Sequence, residues 1–146
     1  MYRCSLLVLV VFLGVANWVR SDDATKKDLE QFQGTWQAIA MHSDGQTASK
    51  EELQLTHLVV EGNRFTLTGR TFTVSGTFSI DPTKTPKGID VVLESPNQER
   101  GEAAKLLGIY ELKGDKRNSC FALTETERPT KFSPAKGYFG FEWKRN

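Results

Sequence analysis

The side chains best suited to chemistry in this chain are two histidines and one cysteine, and their spacing does not predict a reaction. His42 and His57 fall on different predicted elements, with no Asp, Glu or Cys at metal-ligand spacing. Cys120 lies in the strand-like run 118–123, where nothing nearby would lower the pKa of its thiol, so we expect it to be buried and inert. The chain also lacks G-x-S-x-G, a phosphate-binding loop and a zinc-protease helix. We therefore predict a protein that is not an enzyme and that needs no metal or cofactor.

The most distinctive polar segment is Glu127-Arg128-Pro129-Thr130. The Arg128 guanidinium would suit a contact to a ligand or partner at the rim of a binding site. The alternative, which we favour, is a loop that Arg128 anchors through a hydrogen bond or an ion pair.

Short strands must position these residues. Strand-like segments recur along residues 34–146 at roughly ten-residue spacing, which predicts about eight strands. The cleanest alternation puts apolar residues on one face, at Phe72, Val74, Phe78 and Ile80. Gly76 interrupts that face and predicts a bulge or a sharp bend. Because no helix separates the strands, we predict an all-β antiparallel up-and-down barrel, with a two-sheet sandwich as the alternative.

One short helix is expected before the strands, with Thr25 as its cap. The segment Gly34-Thr35-Trp36 follows it and leads into the first strand. Glycine allows a tight turn from helix to strand.

The motifs that carry a family resemblance are spread over residues 26–145. They include Gln33-Gly34-Thr35-Trp36, Glu61-Gly62-Asn63-Arg64-Phe65, Gly76-Thr77-Phe78, Asp81-Pro82-Thr83-Lys84, Leu107-Gly108-Ile109-Tyr110 and Glu127-Arg128-Pro129-Thr130. On these residues the chain resembles the lipocalin-like domain family of unknown function that is abundant in planctomycete-type bacteria. The resemblance implies an eight-stranded lipocalin-like barrel and carries no activity with it.

The resemblance also implies a structural contact at the barrel floor. In lipocalins a basic residue near the end of the last strand packs on the G-x-W tryptophan. Arg145 is the candidate for that partner of Trp36, and Lys144 is the competitor. Gly34, Trp36 and Arg145 would then close one end of the barrel.

Large rings dominate the predicted barrel interior. The main candidates are Phe65, Phe72, Phe78, Tyr110, Phe139 and Phe141. An eight-stranded barrel is just wide enough to be filled by side chains or to hold one small ligand. The rings suit a packed core and an apolar pocket equally well.

Residues 1–21 are expected to form a secretory signal peptide. Arg3 gives a positive start, and the run 6–16 is apolar but too short to span a membrane. Small residues favour cleavage after Ser21, with cleavage near Ala16 and an uncleaved N-terminal anchor as alternatives. We therefore expect an exported protein, periplasmic or secreted, with no membrane span once the signal is removed.

The remainder, 22–146, is long enough for a single domain. Without Arg3 and Arg20, the 19 basic side chains of the chain fall to 17, against 18 acidic ones. A balanced surface argues against a nucleic-acid binder, which would need a basic patch. Cys120 would be the sole remaining cysteine, so no disulfide stabilises the fold.

Three functions from different classes remain open. The first is binding of a small apolar molecule, which predicts a cavity with a few polar groups such as Tyr110 or Arg128 near its mouth. The second is a ligand-free structural or protein-interaction module of the cell envelope, which predicts a filled barrel and an exposed apolar patch. The third is an unrecognised enzyme, which predicts an ionisable pair inside the barrel.

Overall fold

A computed structural model of the chain describes residues 19–94, 104–124 and 127–146. Most of the predicted signal peptide and of the loop expected after residue 94 therefore lies outside the described residues. The elements in chain order are α1 (Val19–Phe32), β1 (Gly34–Ser43), β2 (Gln46–Thr47), α2 (Lys50–Gln54), β3 (His57–Glu61), β4 (Arg64–Thr68), β5 (Thr73–Asp81), β6 (Gly88–Leu93), β7 (Lys105–Lys113), β8 (Lys116–Ala122) and β9 (Tyr138–Arg145).

Neighbouring strands pair in antiparallel fashion, and the sheet closes on itself. The strand order runs from β2 through β1 to β9, and β1 also pairs with β9. Strands β1 and β3–β9 therefore form a closed eight-stranded barrel, while the two-residue strand β2 adds an edge to β1. The prediction of an all-β up-and-down barrel after one helix is confirmed, and the sandwich alternative is not realised.

The two ends of the barrel differ. Because strand direction alternates, one end, here called the helix end, is formed by α1 and the turns at 62–63, 82–87 and 114–115. The opposite end is here called the loop end, and the described residues between its strands are 44–56, 69–72, 94, 104, 123–124 and 127–137.

Helix α1 is longer than the sequence predicted. It includes Val19–Phe32, so Thr25 lies in its interior and does not cap it. The extra turns lie at the N-terminal end, where residues 22–27 include Ala24, Lys26 and Lys27, which favour helix. Among the described residues, neither helix has the length and apolar character needed to cross a membrane.

A second short helix, α2, precedes β3. Ser49 caps it, and Glu52 completes a reciprocal capping box. The bulge predicted at Gly76 is absent, because Gly76 pairs in unbroken register with Phe65 and Leu93. A Cβ there would lie 2.2 Å from the Val92 carbonyl oxygen, so this glycine permits a close approach of strands. The register shift instead lies in β1, between Ala38 and Ala40.

Candidate functional site

An apolar cavity of about 220 Å³ lies inside the barrel. It is far larger than the roughly 10–15 Å³ that one water needs, and smaller than the roughly 300–1,000 Å³ of drug-sized pockets. Its lining comes from α1 and from every barrel strand except β1. The lining residues are Phe32, Leu58, Val60, Phe65, Leu67, Val74, Phe78, Ile89, Val91, Leu93, Leu106, Arg117, Ser119, Phe121, Phe139, Phe141 and Trp143.

The cavity is closed at the helix end and more accessible toward the loop end. Phe32, Val60 and Trp143, near the helix end, are fully buried. Near the loop end, Leu58 and Phe121 are buried. The other lining residues at that level are partly exposed, and they are Leu67, Val74, Leu93, Leu106 and Phe139. Over the described residues, the lining is therefore more accessible at the loop end than at the helix end.

Most of the predicted interior rings line this cavity. Phe65, Phe78, Phe139 and Phe141 do so. Phe139 stacks on Phe121 with ring centroids 5.1 Å apart. The inward face of β9 is thus the row of rings that the sequence alternation predicted.

Phe72 and Tyr110 do not line the cavity, which corrects the prediction for both residues. Phe72 precedes the first residue of β5, is 40% exposed, and borders a surface groove with Met41 and Arg70. Tyr110 is buried, and its ring meets Phe32 edge-on at 5.0 Å. It supports α1 and does not stand at the mouth.

Gly34, Trp36 and Arg145 lie together at the helix end of the barrel, which is here called the floor. Trp36 is fully buried, and its Nε1 donates to the Phe32 carbonyl oxygen at 2.9 Å. The Arg145 guanidinium carbon lies 4.3 Å from the Trp36 ring centroid. Gly34 has φ +106°, and a Cβ there would lie 3.3 Å from Arg145 Nη1. Lys144, the competing candidate, is exposed.

Arg145 also holds the end of α1. Its Nη1 donates to the Gln33 carbonyl oxygen at 2.5 Å, and its Nη2 donates to the Gln31 carbonyl oxygen. These carbonyl groups lie at the C-terminal end of the helix, where the backbone leaves acceptors unpaired and carries partial negative charge. The guanidinium of Arg145 therefore has partners of the right kind.

The buried carboxylate of Asp28 joins α1 to β7 and to the turn 82–87. Asp28 is 7% exposed, and its Oδ2 accepts hydrogen bonds from the Tyr110 hydroxyl at 2.7 Å and from Lys87 Nζ at 2.8 Å. Burial, and then the hydrogen bond to Asp28, raise the pKa of Tyr110 above its usual value of 10, so the hydroxyl keeps its proton. Together with the Gln33 side chain, which bonds to Gly62, these contacts close the helix end.

Arg117 is the site residue that the sequence analysis missed. It is 6% exposed and lines the cavity, and its guanidinium carbon lies 4.5 Å from the Phe32 ring centroid and 5.0 Å from that of Trp36. Its Nε and Nη1 atoms are buried without a hydrogen-bond partner. No ion pair among the described residues includes it. Ser119, two residues along β8, lines the same cavity.

The contacts of Arg117 do not offset the free-energy cost of burying its charge. Burial, and then the charge of Arg145, lower the pKa of Arg117 to about 9, so it is still charged at neutral pH. A cation–π contact contributes about 0.5–2 kcal/mol, whereas taking an ion out of water costs several kcal/mol unless it is paired. The two rings therefore compensate only part of the cost.

A hairpin signal in the sequence would have located Arg117. The predicted strand began at Asn118, after a turn that included Lys116, so Arg117 was given no face. In the structure β8 begins at Lys116, after the two-residue turn Gly114-Asp115, and Arg117 pairs with Leu112. Alternation then places Arg117, Ser119 and Phe121 inward.

The other candidate side chains lie outside the barrel interior. Arg128 Nη1 donates to the Ile89 and Gly108 carbonyl oxygens at 3.1 and 2.7 Å, and Nη2 pairs with Asp90. It anchors the connection 127–137 to the outer face of β6 and β7, which is the alternative that the sequence analysis favoured over a rim contact.

His42 and Cys120 both contact the connection 127–137. His42 Nε2 lies 2.9 Å from the Ser133 carbonyl oxygen, and Cys120 Sγ lies 3.9 Å from the same atom. Burial raises the pKa of the Cys120 thiol, so it stays protonated. Over residues 19–94, 104–124 and 127–146, no three His, Cys, Asp or Glu side chains group as a metal site would require.

Comparison of the chain with protein-family models, with curated proteins and with solved structures found no match.

Proposed function

We propose that this barrel binds a small, mostly apolar molecule in its interior cavity. The observation that carries the proposal is the cavity of about 220 Å³, lined by aromatic and aliphatic side chains. Side chains around such a space lack contact atoms on one side, and a bound molecule would supply them. The cavity also disfavours the ligand-free module, which predicts a filled barrel.

We also propose that the protein acts outside the cytoplasm and belongs to the lipocalin-like family that its motifs resemble. The closed eight-stranded barrel and the Gly34, Trp36 and Arg145 floor support the family proposal. The charge and the apolar run of residues 1–21 support export.

A binding experiment with a matched pair of variants tests the proposal. Val91 lines the cavity, whereas its neighbour Val92 points to the other face of β6. We expect 1-octanol or 1-dodecanol to bind the purified protein at one saturable site by isothermal titration calorimetry. Val91→Phe would fill part of the cavity and weaken binding by about tenfold or more, since even one added methylene is felt in a packed interior.

Val92→Phe is the control, because it adds the same ring without entering the cavity. Circular dichroism would verify that both variants keep the barrel. The proposal fails if the unmodified protein binds neither the alcohols nor carboxylates and sulfates of the same chain lengths, or if Val91→Phe and Val92→Phe bind these ligands equally well.

A further inference from the structure

The Arg117 guanidinium restricts the chemistry of a ligand in the cavity more than the apolar lining does. Arg117 is the charged residue of the lining, and the structure buries it at the floor, against Phe32 and Trp36. Buried charges in proteins are ordinarily paired or bound to an ion of opposite sign. Here two of the three guanidinium nitrogens, Nε and Nη1, have no hydrogen-bond partner. The protein therefore holds a cation at the floor of an apolar cavity with these two nitrogens unpaired.

A water molecule would not complete this site. Water can accept hydrogen bonds from the guanidinium, but it does not neutralise the charge. A buried water also needs two to four polar partners, and Ser119 is the other polar residue of the lining. An oxyanion meets both requirements, because it accepts hydrogen bonds and carries the opposite charge.

We propose that the ligand is a single-chain amphiphile with an oxyanion head, such as a carboxylate, that pairs with Arg117. This inference rests on the proposed function. The head lies at the floor beside Arg117 and Ser119, and the chain extends between the phenylalanine side chains toward the loop end. The cavity of about 220 Å³ limits the enclosed part. At roughly 30 Å³ for a group the size of a water molecule, it holds about seven such groups including the head, so the end of a longer chain lies toward the loop end.

The decisive experiment compares ligands that differ only in the head. Octanoate, octyl sulfate and 1-octanol are titrated into the full protein by calorimetry at pH 7.5, with the twelve-carbon homologues as a second set. We expect the anions to bind roughly tenfold to a hundredfold more tightly than the alcohol, as a hydrogen bond to a charged group implies. Octanoate and octyl sulfate distinguish a carboxylate site from one that accepts any oxyanion.

Two variants test whether Arg117 causes the preference. Arg117→Met keeps the length of the side chain and removes the charge, and it should bring octanoate to the affinity of 1-octanol. Arg117→Lys retains a charge and should keep part of the preference. Lys116→Met is the matched control, because it removes one charge from the neighbouring, exposed position of β8.

The outcomes separate this inference from the proposed function. Binding of 1-octanol with no preference for octanoate or octyl sulfate overturns the anion site and leaves the cavity proposal standing. A preference that survives Arg117→Met, or that Lys116→Met also removes, overturns the role of Arg117. Binding by none of the six ligands overturns both. An anion preference lost in Arg117→Met and kept in Lys116→Met supports the inference.

Discussion

Two arginines lie over the same tryptophan, and they differ in whether their guanidinium donors have hydrogen-bond partners. The guanidinium carbons of Arg145 and Arg117 lie 4.3 and 5.0 Å from the Trp36 ring centroid. Arg145 donates to the Gln31 and Gln33 carbonyl groups at the end of α1. Arg117 faces the cavity and leaves Nε and Nη1 without partners.

Within one barrel floor, arginine can therefore either stabilise the fold or provide a binding site for an anion. A cation whose donors are satisfied by backbone acceptors stabilises the fold. A buried cation without acceptors destabilises the unliganded fold and stabilises a complex with an anion. Removing each arginine should therefore change the free energy of unfolding in opposite directions.

The largest effect is expected for Arg145→Met. This change leaves the Gln31 and Gln33 carbonyl groups without their donor and removes the cation–π contact with Trp36. We expect the free energy of unfolding to fall by about 2–4 kcal/mol. Urea denaturation followed by tryptophan fluorescence measures it. The octanoate preference should persist, and its loss with unchanged stability would mean that the two arginines have the opposite roles.

The next effect is expected for Arg117→Met without ligand. Methionine fills a similar volume in an apolar site and removes an unpaired charge, so the free energy of unfolding should rise by about 1–3 kcal/mol. The same urea denaturation measures this rise, with Lys116→Met as the unchanged control. A loss of stability as large as that of Arg145→Met would show that the contacts to Phe32 and Trp36 outweigh the cost of burial.

The increase in the free energy of unfolding that we expect for Arg117→Met should also depend on pH. The folded pKa of Arg117, about 9, lies below its ordinary value of 12.5. Between these values the unfolded chain binds the proton more tightly, so the unmodified protein gains stability as pH rises through that range. The difference between the two proteins should be constant from pH 7 to 8.5 and shrink by pH 10.5. A constant difference up to pH 10.5 would mean that the guanidinium stays charged in the fold.

The smallest effect is expected for Tyr110→Phe. It removes one hydrogen bond to Asp28 and leaves Lys87 as a partner of that carboxylate. We expect a loss of about 1 kcal/mol in the free energy of unfolding, with ligand binding unchanged, because Tyr110 does not line the cavity. Chemical denaturation and calorimetry with octanoate measure the two quantities. Weakened octanoate binding would place Tyr110 in the site.

The sequence predicted the parts of the molecule that local patterns encode. Phe65, Phe78, Phe139 and Phe141 were predicted as interior rings and line the cavity. The segment Gly34-Thr35-Trp36 was predicted to lead from the helix into the first strand, and β1 begins at Gly34. The partner Arg145 came from the family resemblance, since no local rule links residues 112 positions apart, as Gln33 and Arg145 are.

The sequence did not predict what depends on tertiary packing. In the sequence alternation Phe72 falls on the same face as Val74, Phe78 and Ile80. However, β5 begins one position after Phe72, and the ring lies at the surface. Gly76 resembles a bulge in sequence, yet its role is to admit a neighbouring carbonyl group. Arg117 is polar next to a turn, a position that is usually solvated, and only the closed barrel shows that its charge is buried.

Closure of the barrel has a consequence for how the chain folds. The pairing of β1 with β9 joins Trp36 to Arg145 and Ala38 to Trp143. Contacts this distant in sequence form slowly, because a long loop must be ordered before they stabilise anything. Until β9 has been synthesised, the edges of β1 and β8 stay unpaired and the cavity has no wall on that side. We therefore expect the chain to remain unfolded until its last strand is made, a state that would suit the export proposed above.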